Sequence, residues 1–345
     1  MRRLLPALLL PGVVVVLLDR LGLAGDLLLF AAAAAALVPL AWLIGEATDQ
    51  LAHHTGPGIG GLLNASFGNA PELIIALVAV SDGLTDVVRA SLTGSIIGNL
   101  LLVLGFTLLV ARPGALDRTS AFVSLGTIAV AVLLLLVPAL AASGGSPDRR
   151  SLAVLSLPFA VALLATRLVV NRWSVRRHRR LQAAADPLEV DGWSLRAALA
   201  VLAITTLTTA FVTETLVGSL GAFARAAHLS EFFVAAVIVA IVGNATEHGS
   251  AVLLAARGQL QLAAEIALAS SAQVAGFLIP AVALLSWAID PLSLSFRWVE
   301  LLGIASATLA ATLVVRPKRS SRAGGAALLG VYAVVAVIFY LVGDR

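Results

Sequence analysis

The chain has 345 residues, 60% of them hydrophobic and 12% charged, with a mean hydropathy of +1.01 and a net charge of +4. A soluble domain carries about 25% charged residues, so lipid is the solvent this composition implies. The absence of cysteine excludes disulfides, thiolate metal sites and cysteine nucleophiles. The basic balance would suggest nucleic acid in a soluble protein; here it falls in loops between apolar runs.

Arg2 and Arg3 precede an apolar run that resembles a signal peptide. The run holds Pro6, Pro11 and Gly12 and ends at Asp19-Arg20 without a small-x-small cleavage site, so it reads as a first span. Eleven apolar stretches follow one another, near 4–22, 26–47, 60–81, 87–110, 119–141, 151–171, 195–218, 230–256, 261–287, 297–315 and 325–342. As helix, each is long enough to cross roughly 30 Å of hydrocarbon. The runs are continuous rather than alternating, which favours helices over a β-barrel. The expected fold is therefore an all-α integral membrane protein with about 11 transmembrane helices.

The second stretch carries Glu46 near its end, and His53 and His54 fall in the loop expected after it. The third contains Gly68-Asn69-Ala70-Pro71-Glu72, and the fourth carries Ser91, Thr93, Ser95 and Asn99. A polar loop at 172–194 then divides the chain. It holds Arg172, Arg176, Arg177, His178, Arg179 and Arg180, followed by Asp186 and Glu189. It reads as a solvated basic linker, with contact to anionic lipid as the sharper alternative. Beyond it, the seventh stretch carries Thr205, Thr206, Thr208, Thr209, Thr213, Glu214 and Thr215. The eighth reads Gly243-Asn244-Ala245-Thr246-Glu247-His248, and the ninth has Glu265, Ser270, Ser271 and Gln273. The expected organisation is an N-terminal helix (1–25), a first five-helix repeat (26–171), the linker (172–194) and a second repeat (195–345).

Both halves thus contain Gly-Asn-Ala-x-Glu, an acid in the preceding stretch and a small polar run in the next. Five stretches separate the two motifs, an odd number, so the copies cross the membrane in opposite directions. That is an inverted-topology repeat, the architecture of alternating access around a site near the midplane. Loop Lys and Arg favour the N-terminal side, with Arg2, Arg3, Arg112, Arg118, Arg257 and the groups from Arg172 and Arg316, against Arg20, Arg89, Arg149, Arg150, Arg225, Arg297 and Arg345. The N-terminus is then expected in the cytoplasm and the C-terminus outside, in a prokaryotic inner membrane.

A charged side chain at the bilayer centre costs roughly 2.5–3.5 kcal/mol on insertion scales, so intramembrane acids need partners. Glu46, Glu72, Glu214, Glu247 and Glu265 lie in or near apolar runs, and no Lys or Arg in the runs offers them charge balance, Arg167 and Arg196 lying near the ends of theirs. A cation or protons would. Asn69 shares a helix face with Glu72, as Asn244 does with Glu247. The glycines and Pro71 suggest distorted helix, and carbonyls freed at depth are tolerated where they line a cavity. An all-oxygen set of this kind suits a hard cation such as calcium. Two buried carboxylates without metal resist ionising together, so metal and protons compete for them. His248 points about 100° away from Glu247 and is a candidate proton relay or sensor.

Together these residues resemble the calcium/proton exchanger family of the cation/calcium exchanger superfamily. The likeness rests on Gly60 to Ile74 with Gly94-Ser95 and Asn99 to Gly105, and on Gly243 to His248 with Ala267 to Gln273. It covers most of the chain from Glu46 to about Trp287. The resemblance implies ten core helices in two inverted repeats plus one N-terminal helix, and exchange of Ca2+ for H+. It implies Glu72 and Glu247 as calcium ligands with Asn69 and Asn244 beside them. Asn99, Gln273, Ser95, Ser270 and Ser271 would line the pathway, with Glu46 and Glu214 flanking it on opposite sides. The family often has an acidic segment between the halves; the basic loop here departs from that. A sodium or potassium/proton antiporter is the alternative, and a cation channel a remoter one. An intramembrane metal hydrolase would need paired histidines such as His-Glu-x-x-His, which the chain lacks. The expected partners are inorganic cations, protons and the bilayer, with no nucleic acid, no enzymatic activity and no resident cofactor. Monomer and homo-oligomer both stay open.

Overall fold

The computed structural model describes residues 5–143, 149–182, 192–317 and 319–343. Every regular element among them is helical. The long apolar runs account for this, because in lipid a helix satisfies its own backbone hydrogen bonds.

In chain order the helices are α1 (Leu5–Arg20), α2 (Asp26–Phe67), α3 (Ala70–Ser81), α4 (Thr85–Val110), α5 (Arg118–Ser143) and α6 (Arg149–Gln182). The second half has α7 (Leu195–Ala226), α8 (Glu231–Gly243), α9 (Ala245–Ala256), α10 (Leu260–Ala288), α11 (Trp298–Val315) and α12 (Arg322–Val342). Eight are long and apolar enough to cross a membrane alone, and α8 with α9 form a ninth such unit bent by 58°. Serines start several helices by accepting a backbone N–H of the first turn: Ser194 from Ala197, Ser230 from Phe233 and Ser321 from Gly324.

α4 is the central element. Of its most apolar window 78% is buried, against 22% in α6 and in α12, which lie at the periphery. α2 packs along α7, with Phe30 stacked on Phe223 at 4.2 Å between ring centres. α4 meets α8 at Gly94, where a Cβ would lie 1.9 Å from the carbonyl oxygen of Ala236. Only glycine permits that approach, and it brings the polar run of α4 against the second half of the chain.

Three features differ from the sequence expectations. His53 and His54 lie within α2, which stays helical to Phe67. Thr48, Asp49, Gln50 and the two histidines interrupt the apolar run, but none of them breaks a helix, so polarity marks a change of solvent rather than an end of structure. The basic linker likewise begins as helix, because α6 continues to Gln182; 183–191 lie outside the described residues. Arg167 sits inside the apolar part of α6. It lines a cleft with Asp117 and Glu265, so one arginine lies within an apolar run and borders the same cleft as two acids.

Candidate functional site

The two Gly-Asn-Ala-x-Glu motifs fold alike. Each interrupts a helix at its asparagine, Asn69 with φ −109° and ψ 23°, Asn244 with φ −98° and ψ 15°. A new helix starts at the next residue, α3 at Ala70 and α9 at Ala245. Pro71 suits the start of α3, where its missing N–H has no partner to lose. Glu72 and Glu247 therefore both occupy the third position of a helix begun deep in the protein. Backbone N–H groups and the helix dipole favour negative charge there.

The following span is matched as well. α4 widens into a π-helical turn at Gly98–Val103, and α10 does so at Val274–Leu278. Such turns frequently mark functional sites. Asn99 lies in the first, and Gln273 immediately precedes the second. A third π-helical segment, Val234–Val239, lies in α8 ahead of the second motif.

The polar side chains of these elements converge. Asn99 Nδ2 donates to Asn244 Oδ1 and to Ser270 Oγ, both at 3.2 Å. Asn244 Nδ2 donates to Ser95 Oγ at 2.8 Å and to the Ala240 carbonyl at 2.9 Å. Ser271 donates to the Ala267 carbonyl at 3.0 Å and to that of Ile96 at 3.4 Å. Residues from both halves are thus tied into one buried network.

Glu72 is buried beside it. A Cβ on Gly243 would lie 3.4 Å from Glu72 Cγ, so the backbone of the second motif walls the first glutamate. Glu247 lines a cleft that is also lined by Pro71, the residue next to Glu72. Neither carboxylate oxygen of Glu72 has a hydrogen-bond partner among the described residues, and neither does Asn99 Oδ1. Burying such oxygens without partners is costly, which is expected where a cation or protons complete the site.

Glu247 has a different outlook. It lines a cleft of about 210 Å3 with Gly68, Asn69, Ile266, Ala269, Ser270 and Gln273. It also lines a second, of about 250 Å3, with Gly45, Asp49, Pro71, Thr246 and Ser250. Among the described residues no group of three or more His, Asp or Glu is placed to hold a metal. The donors on offer are two carboxylates with amide and hydroxyl oxygens, a set for hard cations.

Of the other residues singled out by sequence, Glu46 accepts from Gln50 Nε2 at 3.0 Å, and Gln50 in turn accepts from the Trp193 backbone at 3.1 Å. Glu214 pairs with Arg20 at 2.7 Å and lines neither cleft. His248 follows Glu247 but also lines neither; its Nε2 is buried without a partner among the described residues. Sequence reasoning missed Asp49, Thr246 and Ser250. The signal for Asp49 was available, since Ala41, Gly45 and Asp49 are spaced by four and share one face of α2.

The chain is similar to known proteins over nearly all its length. Residues 26–171 and 197–341 match the sodium/calcium exchanger protein family. A relative from Synechocystis sp., named Ca(2+)/H(+) antiporter, is 34% identical over 92% of this chain and 91% of its own. The Ca(2+)/H(+) antiporter ChaA of Bacillus subtilis is 35% identical over 91% of this chain and 92% of its own. The solved structure of native YfkE superposes with a TM-score of 0.82 at 31% identity, covering 98% of this chain and all of that one.

Proposed function

The chain belongs to the sodium/calcium exchanger protein family, and we propose that it is a secondary active antiporter exchanging Ca2+ for H+ across a membrane. The observation that carries the reading is the set of buried, unpartnered oxygens of Glu72 and Asn99 where the two broken-helix motifs meet. The protein is a multi-pass membrane protein.

In this reading Glu72 and Glu247 are the shared cation and proton carboxylates, with Asn69 and Asn244 beside them. Asn99, Gln273, Ser95, Ser270 and Ser271 line the path. Without metal, two neighbouring carboxylates in a dry site favour holding protons; a divalent ion favours both ionised forms. Loading with one therefore releases the other. Coupling needs nothing further than this competition, provided the site faces one side at a time.

Alternating exposure follows from the repeat. Eight helices and the bent pair α8 with α9 are long and apolar enough to span among the described residues; taking α1 and the segment that ends in α3 as spans too, the reading adopts the sequence count of eleven. The motif spans then run in opposite directions, in two five-helix repeats at 26–171 and 195–345 behind an N-terminal helix at 1–25. The matched breaks at Asn69 and Asn244 and the matched π-helical turns support that pairing, as do the two separate matches to the family. The loop arginines put the N-terminus in the cytoplasm, in a prokaryotic inner membrane. The clefts of Glu247 then face the cytoplasm, the side on which α2 carries Asp49.

Uptake of radioactive calcium into everted vesicles under an imposed pH gradient tests this. The expected result is saturable uptake that collapses with the gradient and persists without sodium or potassium. Uptake of sodium or potassium in place of calcium would sink the reading.

A further inference from the structure

Arg167 takes no part in the exchange as described so far. It lies within the apolar part of α6 and lines a cleft of about 210 Å3 between α5, α6 and α10. Its Nε is buried without a partner among the described residues, and no ion pair among them includes it. Arginine does not shed its charge, so a half-buried guanidinium in a membrane span calls for an anion. Further donors line the same cleft: Ser124 on α5, Asn171 one turn after Arg167 on α6, and Gln261 at the start of α10.

Two acids share the cleft with it. Asp117 caps α5, accepting from the backbone N–H groups of Thr119 and Ser120 at 3.0 and 3.3 Å and from the Ser120 hydroxyl at 2.9 Å. Glu265 stands one turn beyond Gln261 on α10. Arg167 pairs with neither. A cationic fork and separate carboxylates in one cleft complement a ligand that carries phosphate and ammonium together. Guanidinium holds phosphate through two parallel N–H bonds, and a carboxylate has several lone pairs with which to accept from an ammonium. A purely anionic ligand would instead meet two negative groups beside one positive one.

The cleft lies where a headgroup can enter. α5 and α10 both begin at its mouth, by Asp117 and Gln261, and it runs about 10 Å along them to Ser124 and Leu268. The stem of Arg167 starts deeper, since a Cβ on Gly276 would lie 3.4 Å from both Arg167 Cβ and Thr127 Cγ2. The side chain therefore rises towards the mouth, as a snorkelling arginine does. Beside it Leu168 and Val169 are exposed on peripheral α6, an apolar surface suited to acyl chains rather than to a soluble anion. Pockets with basic groups between helices on the cytoplasmic side suit lipid headgroups.

We propose that this cleft seats the phosphoethanolamine headgroup of a phospholipid in the cytoplasmic leaflet, phosphate on Arg167 and ammonium towards the acids, and that the seated lipid speeds exchange. The membrane face and the effect on rate rest on the antiport reading; the binding does not. The effect passes through α10. Gly276 belongs to its π-helical turn, which directly follows Gln273, and Ala269 lines both this cleft and the one that Glu247, Ser270 and Gln273 line. A headgroup that fixes Arg167 thus braces the helix that carries part of the ion path.

The test starts from the purified full-length protein, stripped of lipid in detergent. It is offered phosphatidylethanolamine, phosphatidylcholine or phosphatidylglycerol of one acyl composition, and retained lipid is counted by native mass spectrometry. Wild type should retain phosphatidylethanolamine over the other two, and Arg167→Gln should lower that retention about tenfold, as for loss of a charged hydrogen-bond donor. Arg167→Lys keeps the charge without the fork and should fall between. Asn171→Ala, a milder change should the Gln variant not fold, should lower retention about threefold. Inorganic phosphate should not displace the lipid. In phosphatidylcholine liposomes, added phosphatidylethanolamine should raise the initial rate of calcium uptake about fivefold for wild type, at the low end of coupling between sites. It should leave Arg167→Gln unchanged, which separates the site from a general effect of the bilayer. Equal retention of the three lipids, undiminished retention by the variants, or displacement by inorganic phosphate would overturn the site. Stimulation absent from wild type, or equal in Arg167→Gln, would overturn its effect on exchange. No calcium uptake by wild type in any liposome would sink the exchange reading instead, with lipid retention still deciding the site.

Discussion

Glu72 and Glu247 share a motif, a helix-start position and a preceding asparagine, yet they look out on different surroundings. Glu72 is 6% exposed, backs onto Gly243 and has both oxygens unpartnered among the described residues. Glu247 borders two clefts, one of which runs to an exposed aspartate. Identical local folding has produced one walled carboxylate and one reachable one. The inequality is what an alternating-access protein requires at any moment. A site open on both sides would leak, and a site with two equivalent glutamates would have no sidedness. Sidedness therefore resides in what packs around the motifs rather than in the motifs themselves.

The strongest way to break this comparison is to neutralise each glutamate in turn. Glu72→Gln and Glu247→Gln should each lower calcium exchange by about a hundredfold or more, about 2.7 kcal/mol of lost stabilisation. Folded protein, read by size-exclusion elution in detergent, should be retained. The amide keeps the shape but has no proton that it can release near neutral pH and no full charge for the cation. If Glu72→Gln exchanged normally while Glu247→Gln did not, the walled glutamate would be structural and the shared site wrong.

The wall itself offers a finer test. Gly243→Ala places its Cβ 3.4 Å from Glu72 Cγ and 3.6 Å from Ile75 Cδ1, ordinary contact distances. The fold should accept it, and loss of glycine's backbone freedom should leave stability level or raise it by about 0.4–1 kcal/mol. Glu72 would lose room to turn towards an ion. Calcium KM should therefore rise about three- to tenfold, with the melting temperature not lowered. A drop in both stability and affinity would mean that the glycine serves packing alone. Gly94 is the contrasting case, since a Cβ there meets the Ala236 carbonyl at 1.9 Å and no small adjustment relieves it.

How far the sequence carries one towards this site depends on the kind of evidence. Long apolar runs identify the helices, because lipid forces a backbone to satisfy itself within one segment. The duplicated Gly-Asn-Ala-x-Glu identifies two equivalent places, and the structure brings Asn244, Asn99, Ser95 and Ser270 together around them. Helix ends were less legible. Polar residues at 48–54 suggest a loop, yet α2 continues through them, because Thr, Asp, Gln and His change the solvent a helix prefers without breaking it. Asp49 was overlooked for that reason: assigned to a loop, it shared no face with Gly45. Arg167 was overlooked for another. It lies near the end of an apolar run, and only the packing of α5, α6 and α10 shows it half-buried in a cleft that Asp117 and Glu265 also line. Tertiary neighbours, unlike periodicity, are not written in a single segment.

The smallest expected effect concerns the acids that precede the two motifs. Sequence places Glu46 and Glu214 in matching positions, which invites matching roles. The structure gives Glu214 a different circumstance: it pairs with Arg20, next to a Thr215 hydroxyl donating to Asp19 at 2.7 Å. Both side chains of the pair are more than half exposed, at 57% and 55%. Exposed ion pairs contribute about 0–1 kcal/mol, and salt weakens them further. Glu214→Gln and Arg20→Gln should each leave calcium exchange within about twofold of wild type, and the double variant should be no worse than the sum of the two. The same vesicle assay reads this, with calcium supplied on either face. A tenfold loss in Glu214→Gln when calcium is offered from one face, but not from the other, would give Glu214 a place on the ion path at that face. In that case the asymmetry between the two motifs would belong to the conformation alone. An unchanged rate from both faces would make it a property of the chain: Glu214 would serve only in a surface ion pair that fastens α1 to α7.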